Sequence, residues 1–269
     1  MNQSMTVPIR SDFFEDAART QLTWLGMAGV MIHSRGSIVL IDPLLGVIEE
    51  GGRTSSEAGF ALDLPLPITA GEVLRADLVC YTHGDDDHIG RLTAQTLAER
   101  TQCQFLAPPP VARMLSSLGI SNERIQTAHD FDVVTLGVIE ITVTPALHNW
   151  QKEDPWQRGD CCGYLLRTPD GSVWHPGDTR LIDELFSFNN VDVLFFDVAN
   201  VDSHLGADGS ARIAATCGAR VLIPYHYWSF GQSPGDFANF DQQRLADSTA
   251  GLQAKIVTLK PGELLDLPV

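Results

Sequence analysis

The segment His83-Gly84-Asp85-Asp86-Asp87-His88 places two imidazoles and three carboxylates within six positions. Imidazole nitrogen and carboxylate oxygen are the donors that hold zinc, manganese or iron, and few structural needs explain so many of them together. The apolar run Leu78-Val79-Cys80-Tyr81 predicts a short buried strand before them. Arg91-Leu92-Thr93-Ala94-Gln95-Thr96-Leu97 predicts a helix after Gly90. The cluster therefore sits on a strand-to-helix loop, where chemistry-bearing side chains concentrate. An acidic, solvated loop with incidental histidines is the competing reading. The rest of the chain weighs against it.

Three further strand-like runs end in a candidate ligand. Ile139-Glu140-Ile141-Thr142-Val143-Thr144-Pro145-Ala146-Leu147 alternates and then reaches His148. Ser172-Val173-Trp174-His175-Pro176 turns at Gly177 and presents Asp178 before Thr179. Arg220-Val221-Leu222-Ile223-Pro224-Tyr225 ends in His226. Four strand ends thus deliver His83, Asp85, Asp87, His88, His148, Asp178 and His226, a donor set that suits two metals. Two divalent ions about 3.5–4 Å apart acidify a shared water and clamp the oxygens on either side of the reacting centre. No serine or cysteine nucleophile is then needed. Cys80 lies in a strand and Cys161-Cys162 lacks metal-ligand spacing, so both are read as ordinary thiols.

These motifs, in this order, resemble the metallo-β-lactamase-fold hydrolase superfamily, and the resemblance covers nearly the whole chain. Leu22-Thr23-Trp24-Leu25-Gly26-Met27-Ala28-Gly29-Val30-Met31-Ile32 and Ile38-Val39-Leu40-Ile41-Asp42-Pro43 are similar to its opening strands. Gly163 to Gly171, leading into His175-Pro176-Gly177-Asp178-Thr179, resembles the branch of ascorbate-phosphate lactonase and N-acylphosphatidylethanolamine phospholipase D type enzymes. The resemblance implies one metal held by His83, Asp85 and His148 and a second by Asp87, His88 and His226, with Asp178 bridging. Asp87 would also be the catalytic residue that orients the attacking water. Two positions depart from the pattern. Asp85 stands where most relatives have a histidine, which shifts preference from zinc toward manganese or iron because it adds a hard, charged oxygen. Met27 stands where close relatives often carry a histidine, which puts substrate inference from the branch in question.

The remaining polar residues divide by position. His33, inside a strand, and His129, in a turn, are read as non-ligands, and His175 as a core histidine or a brace behind the ligands. His204 follows the apolar run Val193 to Asp197 and is a candidate for substrate contact. Lys152, Arg158 and Arg180 near the same strand ends are candidates to pair with a substrate phosphate or carboxylate. Tyr227, with Trp150, Trp156 and Trp228, is a candidate for an aromatic wall.

The elements that must position these side chains follow from periodicity. Strands are predicted near 21–25, 29–33, 37–42 and 77–82, a helix near 91–99, a strand at 103–106, a helix near 109–118, and strands near 131–135 and 138–144. A hairpin over 163–168 and 172–175 turns at Asp170-Gly171. A short helix near 180–186, a strand at 191–197, a helix near 207–217, a strand at 220–225, a helix near 239–250 and strands at 255–259 and 263–267 close the chain. Such mixing suits an α/β (α+β) fold, the αββα sandwich of two mixed sheets flanked by helices that the resemblance implies. Residues 1–269 read as a single domain, with 46–71 as an inserted loop or lid whose Phe60, Leu62, Leu64, Leu66 and Ile68 alternate.

Composition narrows the function. The chain has 269 residues, 44% hydrophobic and 19% charged, enough to bury a large core. A net charge of −16 opposes nonspecific binding to nucleic acid or anionic membrane, while two divalent ions would make the site locally attractive to anions. Met1 to Thr20 carries no apolar signal core, and five unspaced cysteines fit a reducing compartment, so a cytoplasmic protein is expected. The expected partners are a small-molecule substrate and, as a candidate homo-oligomer, further copies of the chain. The leading expectation is a hydrolase with two divalent metal ions (Mn, Fe or Zn) acting on a small ester, lactone or phosphoester. A nucleic-acid phosphodiesterase or nuclease and a di-iron redox or sensor protein are the alternatives.

Overall fold

The computed structural model describes residues 6–62, 65–149, 157–199, 201–226 and 242–268. Its first half contains β1 (Gln21–Gly26), β2 (Gly29–Ser34), β3 (Ser37–Ile41), β4 (Val47–Glu50), β5 (Arg53–Ser56), β6 (Leu78–Cys80), α1 (Arg91–Arg100), β7 (Gln104–Ala107), α2 (Pro109–Ser117) and β8 (Ile125–Thr127). Its second half contains β9 (Val133–Leu136), β10 (Ile139–Pro145), β11 (Cys162–Thr168), β12 (Gly171–His175), β13 (Val193–Asp197), α3 (Gly206–Cys217), β14 (Val221–Tyr225), α4 (Gln242–Thr249), β15 (Lys255–Ile256) and β16 (Leu264–Asp266).

Two seven-stranded sheets result, ordered β16-β1-β2-β3-β6-β7-β8 and β15-β14-β13-β12-β11-β10-β9. Each combines an antiparallel part with a parallel run, β3-β6-β7-β8 in the first and β12-β13-β14-β15 in the second. Strand pleating sends alternate residues to opposite faces. Val39 and Ile41 of β3 accordingly join Leu22, Trp24, Val30 and Ile32 in the core that also holds Ile141, Val143, Tyr164 and Val173 of the second sheet. Ile38 and Leu40 point the other way, into a second core with Ala94 and Leu97 of α1 and Val111 and Leu115 of α2. On the far side, Ile213 and Ala214 of α3 pack into the first of these clusters. This is the expected αββα sandwich.

Parallel strands run toward one edge, and their carboxyl ends are where an open α/β sheet binds ligands. Asp42 follows β3, the His83–His88 loop follows β6, Asp178 follows β12, Asp197 ends β13 and His226 follows β14. The two sheets are stitched at this edge by Cys162 N donating to Thr82 O (2.9 Å) and by the Tyr164 hydroxyl donating to Tyr81 O (2.8 Å). At the other end of β3 and β12, Arg35 and Asp170 form a two-pronged ion pair, Nη1 to Oδ2 at 2.5 Å and Nη2 to Oδ1 at 2.8 Å. Thr20 adds its N–H (2.8 Å) and its hydroxyl (2.9 Å) to Asp170 Oδ2.

Several elements differ from the sequence expectations. The span 46–71 is not structureless: β4 and β5 form an antiparallel ribbon turned at Gly51-Gly52, both with positive φ. The short helix expected near 180–186 is a 3-10 turn, Asp183–Ser187, because the few residues between the site and Val193 leave no room for a nucleated α-helix. Strand β8 was not anticipated, being three residues at a sheet edge. The expected helix at 239–250 is described from Gln242 to Thr249, and residues 239–241 lie outside the described residues.

Candidate metal centre

Seven side chains singled out by spacing converge. His88 Nε2 lies 3.1 Å from Asp178 Oδ2, His226 Nε2 lies 3.3 Å from Asp178 Oδ1, and His83 Nε2 lies 3.7 Å from Asp178 Oδ2. Asp85 Oδ2 sits 3.2 Å from His148 Nε2 and 3.5 Å from His83 Nε2. Ligand atoms of His83, His148 and Asp178 fall within 4.8 Å of one another, and so do those of Asp87, His88 and His226. Asp178 is thus flanked by both groups.

Local folding explains the convergence. Gly177 has φ +66, and a Cβ there would stand 2.5 Å from Cys162 O, so only glycine turns the chain sharply enough to aim Asp178 inward. His175, buried under Phe195 and Tyr225, accepts from Gly177 N at 3.2 Å and donates to Ala28 O at 2.9 Å. It is a core histidine that braces the turn. Gly90 closes the other loop: a Cβ would stand 2.5 Å from Glu57 Oε1 and 2.8 Å from Pro43 O. Glu57, just past β5, receives Gly46 N (2.9 Å), Thr93 N (3.1 Å) and the Thr93 hydroxyl. It therefore caps α1 from a distant segment, a favourable place for a carboxylate. Asp42 and His226 are non-glycine residues with φ of 43° and 63°, backbone strain of the kind held at functional sites.

Two residues that sequence reasoning missed organise the site. Asp42 is fully buried and accepts Thr82 N (2.8 Å), the Thr82 hydroxyl (2.5 Å) and His88 Nδ1–H (2.8 Å). The Thr82 oxygen in turn lies 3.0 Å from His83 Nδ1. Asp197, equally buried, accepts from His226 Nδ1 and His204 Nδ1, both at 3.2 Å. His148 Nδ1 donates to Ser203 O at 3.1 Å. Every imidazole is therefore tied at Nδ1 and presents Nε2 to the centre, the tautomer a metal ligand requires. A signal for both acids existed: Ile38 to Ile41 and Val193 to Phe196 are fully buried runs, each closed by a carboxylate that a core does not otherwise admit.

The electrostatics fit divalent cations. Asp42, Asp85, Asp87, Asp178 and Asp197 bring five carboxylates to five imidazoles. Burial opposes charge on His88, yet Asp178 and Asp42 outweigh it and hold its pKa well above the ordinary value. Burial likewise opposes charge on Asp178, yet His204, His226 and His88 keep it ionised. His204, against Asp178 and Asp197, is raised to about 9 despite its burial. Protons here balance a carboxylate excess that cations neutralise on binding, releasing those protons. Asp178 Oδ1 is buried and makes no hydrogen bond among the described residues. A buried carboxylate oxygen left so is expensive unless a cation completes it. The residues fit a divalent metal site.

His204 belongs to this cluster more closely than its sequence position implied, with Nε2 3.5 Å from Asp178 Oδ2. Arg180 lines a cavity beside it. Arg158 is engaged with Glu184 (2.9 Å). Lys152, Tyr227, Trp150, Trp156 and Trp228 lie outside the described residues. His33 is buried in β2 and His129 is exposed against Asp132, away from the centre as expected. The thiols are buried, and burial pushes Cys161 up to about 12 and Cys80 and Cys162 well above the usual range, which removes them as nucleophiles.

Residues 38–227 match the family model described as the beta-lactamase superfamily domain. The chain belongs to the metallo-β-lactamase-fold hydrolase superfamily. Within it, a metal-dependent hydrolase from Methanoregula boonei is 30% identical over 256 residues, spanning 92% of this chain and 98% of that one. Among solved structures, a metallo hydrolase from Ignicoccus hospitalis matches with TM-score 0.69 and 21% identity over 94% of this chain and 100% of its own. A diiron β-hydroxylase from Streptomyces venezuelae matches with TM-score 0.69 and 18% identity, over 93% of this chain and 55% of its own. These likenesses to solved structures bear on the fold. Among the described residues no helix is long and apolar enough to cross a membrane.

Proposed function

We propose that this protein is a metal-dependent hydrolase of small esters, lactones or phosphoesters, with His83, Asp85 and His148 holding one divalent ion, Asp87, His88 and His226 a second, and Asp178 shared between them. The observation that carries the reading is the buried Asp178 Oδ1, without a hydrogen bond among the described residues, amid imidazoles that face it through Nε2. Such ions, when bound, lower the pKa of water and polarise an acyl or phosphoryl oxygen. The protein's own part is orientation. Asp42 and Asp197 fix the imidazole tautomers, Gly177 aims Asp178, and Asp87 accepts a proton from the attacking water and points its lone pair at the substrate. His204, beside Asp178, is placed to donate a hydrogen bond to the leaving oxygen.

Asp85 adds an oxygen donor where the family resemblance implies a histidine in most members, so manganese or iron is favoured over zinc. The acidic surface favours a small molecule over nucleic acid. Elemental analysis of protein purified without chelator, followed by turnover of a panel of 4-nitrophenyl esters, lactones and phosphodiesters, tests the reading. Metal copurification and turnover lost in Asp87→Ala and His226→Ala are expected. Full activity in both variants refutes it. A coloured, oxygen-sensitive protein without hydrolysis would instead support the di-iron redox reading, which the Asp85 carboxylate favours.

A further inference from the structure

A cavity of about 300 Å³ opens beside the metal centre. Among the described residues His204 forms one wall, and the same imidazole stands 3.5 Å from Asp178. The polar groups on the remaining walls are Arg180, two residues after Asp178, Arg244 from α4, and Asp202. Gly206, where α3 begins, also lines the cavity among apolar side chains such as Leu181 and Val201, so the positive end of a twelve-residue helix adds to the same field. Arg244 Nη2 donates to Asp208 Oδ2 at 2.9 Å, which fixes the plane of its guanidinium, and Ser248 Oγ holds the other oxygen of Asp208 at 2.6 Å. Two guanidiniums from separate elements thus line one small cavity, with Asp202 on its wall and Asp208 behind Arg244, in a protein whose net charge is −16.

We infer that this cavity is the recognition subsite for an anionic group, a carboxylate or a phosphate monoester, carried by the substrate a few bonds from the one that is cleaved. The inference rests on the hydrolase reading for what happens at the metals, and adds the substrate class. Guanidinium forks match the geometry of both oxyanions and bind them through paired N–H donors. The volume lies at the small end of ligand pockets, which limits the acid-bearing part to a few carbon atoms. Binding energy from this non-reacting end would hold the scissile group at the metals, so its loss lowers kcat/KM. A net-acidic chain disfavours anions in general, and the guanidiniums at this cavity are the groups that can hold one.

The test compares matched ester pairs on metal-loaded protein, with acid release followed by pH-stat: monoethyl against diethyl succinate, and 1-acetylglycerol 3-phosphate against 1-acetylglycerol. At least one anionic member is expected to exceed its neutral partner in kcat/KM by about tenfold, and which pair does so distinguishes carboxylate from phosphate. Arg180→Ala and Arg244→Ala should each reduce that ratio by about tenfold, with Arg244→Lys in between. Arg180 is exposed, so its truncation leaves the fold intact and keeps the test decisive if Arg244→Ala disturbs α4. Ratios near one in the wild type, or ratios unchanged in Arg180→Ala, overturn the inference. If no ester is hydrolysed, the hydrolase reading fails separately. Calorimetric titration with succinate and inorganic phosphate then decides the subsite alone: binding weakened by Arg180→Ala supports it, and no binding, or equal binding, overturns it.

Discussion

The sandwich is pinned at both ends by an aspartate, half-buried at the far end and fully buried at the near one, and the two ends differ in what completes it. At the far end Asp170 receives Arg35 on both oxygens and Thr20 on one, so its charge and lone pairs are met by the chain itself. At the near end Asp178 is ringed by imidazoles, and among the described residues its Oδ1 is left without a hydrogen bond. A satisfied network is a structural staple; one left open is where a cation can bind. The contrast shows that the residue type matters less than whether its neighbours exhaust its valence.

The sharpest way to break this contrast is Asp178→Ala. Turnover should fall about a thousandfold and metal content should drop, since both candidate ligand groups lose the carboxylate that lies between them. Arg35→Ala should leave metal content and turnover as they are. A smaller effect is expected from Asp42→Asn, which keeps the shape but frees the orientation of His88 and Thr82. Metal affinity, read by competition with a chelating dye, should weaken about 10–100-fold. An unchanged affinity would mean that packing alone orients those histidines.

The smallest effect concerns the far end and pH. The Arg35 guanidinium holds the Asp170 carboxyl well below the ordinary carboxylate range. A carboxyl whose pKa is lower in the folded state stabilises the fold above its unfolded value, near 3.9, and that contribution is lost as pH falls toward the folded one. Arg35→Ala should therefore lower the melting temperature by a few degrees at pH 7, and the gap from wild type should shrink as pH falls from about 5 to 3. A gap constant across that interval would show that the pair does not depend on the Asp170 charge.

Much of the near end was legible because metal ligands are chemically conspicuous and sit where apolar runs stop. His83, Asp85, Asp87, His88, His148, Asp178 and His226 were all placed by that logic, and the structure gathers them. Asp42 and Asp197 were not, because a lone acid after a strand also reads as an ordinary strand end. Only the structure shows that each accepts hydrogen bonds from residues distant in sequence. The β4-β5 ribbon escaped for a different reason: Val47-Ile48-Glu49-Glu50 has no buried face to impose alternation, and Glu49 and Glu50 are exposed. Its turn was the available clue, since Gly51-Gly52 supplies the two positive φ values that tight hairpins need. The Arg180 and Arg244 cavity was only half visible, as α4 lies more than sixty residues from Arg180.

Glu57 carries a consequence for how this molecule can change. Its carboxylate fastens the root of the ribbon to the first turn of α1, while a Cβ added at Gly51 or Gly52 at the tip would meet no described residue within 4 Å. Chain added or exchanged at the tip would lengthen an outboard arm without transmitting movement to the helix that begins just past His88. The arm can thus be remodelled by evolution or by an engineer while the chemistry beneath it stays fixed.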